Sequence, residues 1–384
     1  MVHLYYNEGT SHSDPDHKQG SMRSHTAAYQ EFRKENYFGS LDGLRAIAIL
    51  AVIWHHTAGT YYRDVPLLRS GHLGVDFFFA ISGFLITTLL LREREKNGQI
   101  SLIRFYIRRT FRIFPLYYTI ILVYVILVSV VESASLEGKE FFHNLPSFLT
   151  YTSNWFVERT GDSRVIFYFA WSLATEEQFY LVWPWVERFL KGWVPVFVML
   201  AIVAVVQLTL LNGMFGIIDP DGFVYTMIVN IATPICLGVI LAHVLHSRRG
   251  FSIAANVMSF PWSSLLFFVL LAVAVAFFTE SHLLIHVLMA LVVGSCVIRQ
   301  DHWLAKILSR QPLKHIGMVS YGMYLMHLLA YHVVARICTA IHFEEPISRF
   351  VLTVLATVGA ATLSFRYYES FFQRMKVRVE AKFK

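Results

Sequence analysis

The first hydrophobic segment of the chain, SLDGLRAIAILAVIWHHTAG, carries two ionisable residues eleven positions apart, Arg45 and His56. At about 100° per residue this spacing is close to three full helical turns, so both side chains share a face with a rise of about 16 Å between them. The neighbouring His55 lies about 80° from that line. An arginine that binds an anion and an imidazole that acts as a base would suit this spacing. The alternative is that His56 only bonds a neighbouring helix.

Three arginines, Arg108, Arg109 and Arg112, crowd together in FYIRRTFRIFPLYY, just before another hydrophobic segment. Arg109 and Arg112 are three positions apart and share a helical face, from which planar guanidinium groups bind phosphate or carboxylate bidentately. With Arg45 on the same membrane side, these residues predict a pocket for the phosphates of a nucleotide-like donor. The alternative is a set of topology anchors that bind lipid headgroups.

Carboxylates inside apolar segments are further candidates, because an ionisable side chain within a membrane is costly. In WSLATEEQFYLVWP, Glu176 shares one helical face with Ser172 and Tyr180 and is better placed than Glu177. We predict that Glu176 pairs with an arginine or orients a substrate hydroxyl, and the alternative is a structural buried ion pair. Asp76, near the outer end of GHLGVDFFFAISGFLITTLLL, either orients a histidine or caps its helix.

The segment VSYGMYLMHLLAYHVV adds Tyr324 and His327, which are neighbours on a helix because they are three positions apart. We predict that these two residues, with Ser172 and Tyr180, contact the substrate. Tyrosine and histidine on an apolar face are also common as core residues with satisfied hydrogen bonds, and that alternative stays open.

Helices in a membrane must position these side chains, because the composition does not suit a soluble domain. Of the 384 residues, 55% are hydrophobic and 15% are charged, and the mean hydropathy is +0.50, whereas soluble domains carry about 25% charged residues. The three cysteines lie in apolar runs, which favours neither disulfides nor a metal site. The net charge of +7 lies mostly in short loops, a pattern typical of membrane topology and not of nucleic-acid binding.

Ten apolar segments are long enough to cross a bilayer, so we predict an all-α polytopic membrane protein. A further segment, 141–157, is a candidate for a re-entrant or interfacial piece, and the sequence leaves this open. The ten predicted spans are 43–59, 73–91, 113–131, 165–186, 193–211, 223–245, 261–278, 283–298, 319–335 and 350–363.

The distribution of basic residues predicts the orientation. With both termini in the cytoplasm, 26 of the 33 lysines and arginines lie on the cytoplasmic side. Residues 1–37 are polar and are predicted to be a disordered cytoplasmic tail. Residues 38–370 form the predicted membrane domain, and residues 371–384 form a basic cytoplasmic tail.

Taken together, these motifs resemble the acyltransferase 3 family of bacterial membrane O-acyltransferases. LDGLRAIAILAVIWHH, GVDFFFAISGFLI, FYIRRTFRIFPLYY, WSLATEEQFYLVWP, SYGMYLMH and SFRYYE occur in the family's order. The family's Arg-x10-His pattern falls on Arg45 and His56, and its Arg-x-x-Arg pattern on Arg109 and Arg112. Its Ser-x-x-x-Glu-x-x-Phe-Tyr pattern falls on Ser172, Glu176, Phe179 and Tyr180. One departure is Ser370, where the family commonly has proline.

The resemblance implies an enzyme of a bacterial cytoplasmic membrane. It would move an acyl group, usually acetyl, from cytoplasmic acyl-CoA to a hydroxyl of a cell-envelope or extracellular carbohydrate. In that case the arginines hold the CoA phosphates, and His56 acts as a general base or forms an acyl intermediate, with Glu176 or Asp76 orienting it or the acceptor. Some members append a hydrolase-like domain, which we expect a partner chain to supply if transfer requires one.

Two other functions also suit a polytopic protein with buried ionisable residues. One is a proton-coupled transporter of a saccharide or a lipid-linked sugar, although no pair of repeated halves is found. The other is a lipid-binding scaffold or sensor, which leaves the histidine and glutamate near the middle of the membrane unexplained. The acceptor, the acyl chain length and the oligomeric state stay open.

Overall fold

The computed structural model of the protein describes residues 26–35, 37–59, 61–158, 165–212, 218–343 and 345–383, and none of these lies in a β-strand. The predicted all-α fold is confirmed. In chain order the helices are α1 Thr26–Lys34, α2 Gly39–Thr57, α3 Pro66–Arg69, α4 Gly74–Asn97, α5 Leu102–Leu127, α6 Leu136–Leu149, α7 Ser153–Phe156, α8 Trp171–Phe189, α9 Val194–Asn212, α10 Phe223–Val229, α11 Thr233–His246, α12 Arg248–Met258, α13 Ser263–Phe277, α14 His282–Ile298, α15 Ala305–Leu308, α16 Leu313–Ala340, α17 Pro346–Leu363 and α18 Ser370–Glu380.

Membrane crossing is clearest for five continuous helical stretches of the described chain, and three bent helix pairs raise the number to eight. Each of the ten predicted spans coincides with a helix or a bent pair, but ten crossings are not confirmed. Two helices account for the difference: α8 carries four charged side chains, and α14 has only 17 residues. The five stretches are Gly71–Asn97, Leu102–Glu132, Val194–Leu211, Leu313–Ala340 and Pro346–Phe383.

Helix α2 packs between two neighbouring helices, and its backbone comes close to both of them. It packs against α4 and α16. A Cβ atom added at Gly317 of α16 would lie 1.9 Å from the Asp42 carbonyl oxygen, and one added at Gly74 of α4 would lie 2.3 Å from the Ala48 carbonyl oxygen. Only glycine permits these approaches, which is the usual means of packing helices tightly in a membrane.

The loop before α15 supports the start of α2. His302 Nε2 lies 3.0 Å from the hydroxyl oxygen of Ser40. Burial lowers the pKa of His302 to about 4, so the imidazole that contacts Ser40 is neutral at pH 7.

The segment 141–157 lies within α6 and α7. Helix α6 has 14 residues and is about 21 Å long, which is too short to cross a hydrocarbon core of about 30 Å. The hydroxyl of Tyr117 on α5 donates to the Phe148 carbonyl (2.8 Å), and the side chains of Asn154 and Gln178 bond each other. The two helices therefore pack against α5 and α8.

Both predicted tails contain ordered helix. Residues 1–25 lie outside the described residues, but α1 follows them, and its Phe32 is buried. Arg92 of α4 donates to the carbonyl oxygen of Phe32 (2.8 Å). At the other end of the chain, α18 packs against α5, where Gln373 Nε2 donates to the Phe111 carbonyl (3.2 Å).

A buried charged cluster joins α4, α8 and α11. The predicted span 165–186 ends one residue before Glu187, whereas α8 continues to Phe189 and buries Glu187 completely. His243 Nε2 lies 2.5 Å from one carboxylate oxygen of Glu187, and Arg94 lies 3.4 Å from the other. His243 and Arg94 therefore compensate the negative charge of the buried Glu187 carboxylate.

Removing the carboxylate should destabilise the fold. We expect Glu187→Ala to lower the free energy of unfolding by roughly 3 to 5 kcal/mol, because His243 and Arg94 lose their buried partner. The control is Glu95→Ala, which breaks a partly exposed pair with Arg33 and should cost no more than about 1 kcal/mol. Thermal unfolding of both variants in one detergent provides the measurement, and equal losses would contradict a structural role for the cluster.

Candidate active site

A cavity between α2, α4, α5, α8 and α16 contains most of the predicted donor-binding residues. We call it the arginine cavity, and the end of the bundle at which it lies the arginine side. Its polar lining residues are Arg45, Ser82, Arg109, Arg112, Ser172, Glu176, Glu177, Ser320, Tyr180, Tyr321 and Tyr324.

Two guanidinium groups of this cavity lack carboxylate partners. The Arg109 guanidinium lies over the ring of Tyr180 at 4.0 Å, and Tyr180 in turn donates its hydroxyl hydrogen to Glu176. Arg45 lies 3.5 Å from Asp42. Among the described residues, neither Arg109 nor Arg112 forms an ion pair or a hydrogen bond with a carboxylate. Their planar donors are therefore available to an anionic ligand.

The inner end of the arginine cavity is closed by a hydrogen-bonded group on α8 and α16. The hydroxyl oxygens of Ser172 and Tyr324 lie 2.6 Å apart, and Tyr324 also donates to the Phe169 carbonyl (3.0 Å). Phe169 belongs to a 3-10 turn that precedes α8. Ser172 and Tyr324 thus separate this cavity from the residues beyond it.

His327 and His56 lie on the far side of that closure. His327 is 1% exposed and donates its Nδ1 hydrogen to the Tyr324 carbonyl (2.5 Å). Its Nε2 atom is buried without a hydrogen-bond partner within the described part of the chain. The His327 ring lies 4.9 Å from the ring of His56 and 5.1 Å from that of Phe169. A single layer of side chains therefore links the two sides.

His56 lines a second cavity, which we call the histidine cavity. Its Nδ1 hydrogen is donated to the Val52 carbonyl (2.9 Å), so the neutral tautomer has its lone pair on Nε2. His55 lines the same cavity despite its different helical phase, and both histidines belong to the last turn of α2, which ends at Thr57. The polar lining residues are His55, His56, Arg63, Arg69, Tyr124, Tyr168, Tyr331 and His332.

Helix α2 therefore carries Arg45 into one cavity and His56 into the other. The shared helical face predicted from their spacing agrees with this arrangement. Of the predicted substrate-binding residues, Ser172, Tyr180 and Tyr324 line the arginine cavity, while His327 lies between the two cavities.

Two predicted residues lie elsewhere. Among the described residues, Asp76 lines neither the arginine cavity nor the histidine cavity. Its carboxylate lies 3.4 Å from Nε2 of His286 on α14. Arg108 is outside the arginine cavity, where Glu93 and Glu380 each bind its guanidinium at 2.9 Å. Asp76 thus faces a histidine, as one of its two predicted roles requires, but this histidine is His286 and not His56. Arg108 is not among the described residues that line the arginine cavity.

Sequence reasoning missed several residues of the site. Glu177 lines the arginine cavity beside Glu176, and its place next to Glu176 in the sequence was the available signal. Tyr321 also lines the cavity and donates its hydroxyl hydrogen to the Ile113 carbonyl (2.7 Å). His286 was not predicted as the partner of Asp76, because it lies on a helix more than 200 residues further along the chain.

Comparison with known proteins identifies the family. A family model described as an acyltransferase domain matches residues 38–366, which include both cavities. This chain belongs to the acyltransferase 3 family. The resemblance inferred from the sequence motifs is confirmed.

Relatives within this acyltransferase family carry related names. Peptidoglycan O-acetyltransferase OatA of Listeria monocytogenes is 32% identical over 375 residues, covering 87% of this chain and 55% of that protein. "Putative O-acetyltransferase" of Staphylococcus aureus is 29% identical over 383 residues, covering 92% of this chain and 60% of its own length. The chain thus spans little more than half the length of these curated relatives. No solved structure matches it.

The closure between the cavities should contribute to stability. We expect Tyr324→Phe to lower the free energy of unfolding by about 1 to 2 kcal/mol, because the buried Ser172 hydroxyl and Phe169 carbonyl lose a partner. Tyr368→Phe is the control, since the Tyr368 hydroxyl bonds Thr119 at an exposed position. Thermal unfolding under identical conditions tests the difference, and a larger shift for Tyr368→Phe would refute the expectation.

Proposed function

We propose that this chain is a membrane O-acyltransferase. It binds an acyl-CoA donor, acetyl-CoA in our proposal, in the arginine cavity and transfers the acyl group to a carbohydrate hydroxyl in the histidine cavity. The observation that carries the proposal is the position of α2, whose Arg45 and His56 line two cavities separated by one layer of side chains. Membership of the acyltransferase 3 family supports the reaction class.

The donor phosphates bind to Arg109 and Arg112, with Arg45 as a third cation. Guanidinium groups bind phosphate oxygens through paired hydrogen bonds, and these two forks make no ion pair with the described carboxylates. Glu176 acts as a positioning residue: it accepts a hydrogen bond from Tyr180, whose ring stacks on the Arg109 guanidinium. The pantetheine arm then extends toward Tyr324 and the histidine layer.

His56 carries the chemistry. Because its Nδ1 hydrogen is donated to Val52, its Nε2 lone pair can take the proton of the acceptor hydroxyl. The acceptor oxygen attacks the thioester carbonyl carbon, the carbon–sulfur bond breaks, and the CoA thiolate leaves and takes up a proton. In the covalent variant, Nε2 itself attacks the carbonyl, the carbon–sulfur bond breaks and the CoA thiolate leaves. The acceptor hydroxyl then attacks the acyl-imidazole, and Nε2 takes up the hydroxyl proton as the carbon–nitrogen bond breaks. Asp76 is assigned no step, because it contacts His286.

The acceptor is a carbohydrate of the bacterial cell envelope. The name of the Listeria relative specifies peptidoglycan, whose sugars present hydroxyl groups. We place the arginine side in the cytoplasm, with both termini, because this orientation puts 26 of the 33 basic residues there. Acyl-CoA is then available to the arginine cavity, and the envelope acceptor to the histidine cavity.

The role of His56 predicts a specific loss of turnover. His56→Ala should reduce acyl transfer by roughly 100- to 10,000-fold, the usual contribution of a general base, while acetyl-CoA binding is retained. Thiol release from acetyl-CoA by the purified protein in nanodiscs measures the rate. His143→Ala, which changes an exposed histidine on α6, is the control. Full activity in His56→Ala would reject both versions of the mechanism.

The arginines predict a different phenotype. Arg109→Gln and Arg112→Gln should each weaken acetyl-CoA binding by roughly 10- to 100-fold, because each removes a charge-assisted bond to phosphate. Arg310→Gln, at an exposed position on the same predicted side, should leave binding unchanged. If both variants bind acetyl-CoA as tightly as wild type, Arg109 and Arg112 are topology anchors and not donor-binding residues.

The alternative function as a transporter has its own test. Uptake of labelled saccharide into vesicles by a protein that does not bind acetyl-CoA would favour it.

A further inference from the structure

A second polar depression adjoins the arginine cavity on its open side. It lies between α4, α5 and α18, and we call it the α18 groove. The groove and the arginine cavity share Ile86, Arg109 and Arg112 as lining residues, so the two spaces adjoin at these side chains. A molecule whose phosphates contact Arg109 and Arg112 can therefore extend into the groove.

Three of the cationic side chains that line the α18 groove are held by partners within the protein. Arg92 donates to the carbonyl oxygens of Phe32 and Glu35. The carboxylate of Glu93 binds Arg104 at 3.2 Å and Arg108 at 2.9 Å. These three arginines are held by the protein itself and are poorly placed to bind a ligand.

Two lysines of the groove have no such partner. Lys96 of α4 and Lys376 of α18 line it, and within the described part of the chain neither forms a hydrogen bond or an ion pair. Lysine is a compact charge with three donors, which suits a terminal phosphate group, whereas the two arginine forks suit a diphosphate. The charges of the groove and cavity thus follow one another as a phosphate-binding track.

Helix α18 holds Lys376 in place. Gln373, Lys376 and Glu380 are spaced three and four positions apart and share one face of the helix. The first donates to the Phe111 carbonyl of α5 (3.2 Å), and the last binds Arg108 of α5 at 2.9 Å. The side chain between them must face the same groove, while Arg374 on the same helix is exposed.

We propose that the α18 groove binds the 3′-phosphorylated adenosine end of the CoA donor, with Lys376 and Lys96 contacting the 3′-phosphate. This inference rests on the proposed function, because it extends the donor site of that reaction. Coenzyme A has a diphosphate in its middle and a separate phosphate on its ribose, which matches two arginine forks followed by two lysines. The basic C-terminal segment thereby becomes one wall of the donor site.

The test compares two ligands that differ only in the phosphate concerned. Binding of CoA and of 3′-dephospho-CoA is measured by calorimetry with the full-length protein in nanodiscs of neutral phosphatidylcholine. Wild type should bind CoA about tenfold more tightly, the effect of one charge-assisted contact. Lys376→Gln should lose most of that preference and bind 3′-dephospho-CoA with unchanged affinity. Arg374→Gln, which removes the same charge from the exposed face of α18, should keep the full preference.

Each possible outcome of these titrations contradicts a different claim. Equal binding of the two ligands by wild type, or a preference that Lys376→Gln retains, overturns the assignment of the groove but leaves the donor site intact. Absence of binding by either ligand to a folded preparation overturns the proposed function as well. A lipid headgroup presents the same phosphate chemistry, so the titrations are repeated with phosphatidylglycerol. If Lys376→Gln changes only the effect of that lipid, the groove is a lipid site and the proposal is wrong.

Discussion

The backbone contacts of α2 determine where its ionisable side chains lie. Lipid provides no hydrophobic drive for helices to associate with one another, so close packing and polar contacts must hold them together. Gly317 and Gly74 let α16 and α4 approach the α2 backbone at Asp42 and Ala48. With both neighbours in backbone contact, α2 cannot rotate or slide without a clash, and this fixes the two ends of the helix relative to the cavities.

Charges inside the bundle fall into two groups that differ in how they are compensated. Glu187 is enclosed by His243 and Arg94, and Arg108 is bound by two carboxylates, as expected for groups that only support the fold. Other groups face a cavity or another ring instead, notably the Arg109 and Arg112 guanidiniums and Nε2 of His327. In the described structure Arg109 and Arg112 line the arginine cavity, and His327 lies between the two cavities with its Nε2 atom unpaired, so the hydrogen-bonding capacity of these groups is available to a ligand.

The fold class and much of the site were predictable from the sequence, because both follow from local periodicity. The helical phase predicted a shared face for Arg45 and His56, and each lines a cavity, but phase did not separate His56 from His55, which lines the same cavity. The spacing of Ser172, Glu176 and Tyr180 predicted a shared face, and all three line the arginine cavity. Contacts between distant helices were not predictable in this way. His286 meets Asp76 and Glu380 meets Arg108 only after the chain folds. The number of membrane crossings was also not settled by hydropathy, because α8 combines four charged side chains with an otherwise apolar sequence and α14 is only 17 residues long.

The single layer between the cavities also bears on the electrical balance of the proposed reaction. The acceptor hydroxyl loses its proton on the histidine side, and the CoA thiolate gains one on the arginine side. If the proton passes through the layer by way of His327 and Tyr324, turnover moves no net charge. If the layer blocks protons, each turnover displaces one elementary charge across the membrane, which couples the free energy of the reaction to the membrane potential by about 2.3 kcal/mol per 100 mV. The proton conductance of these few side chains therefore decides whether the enzyme is electrogenic.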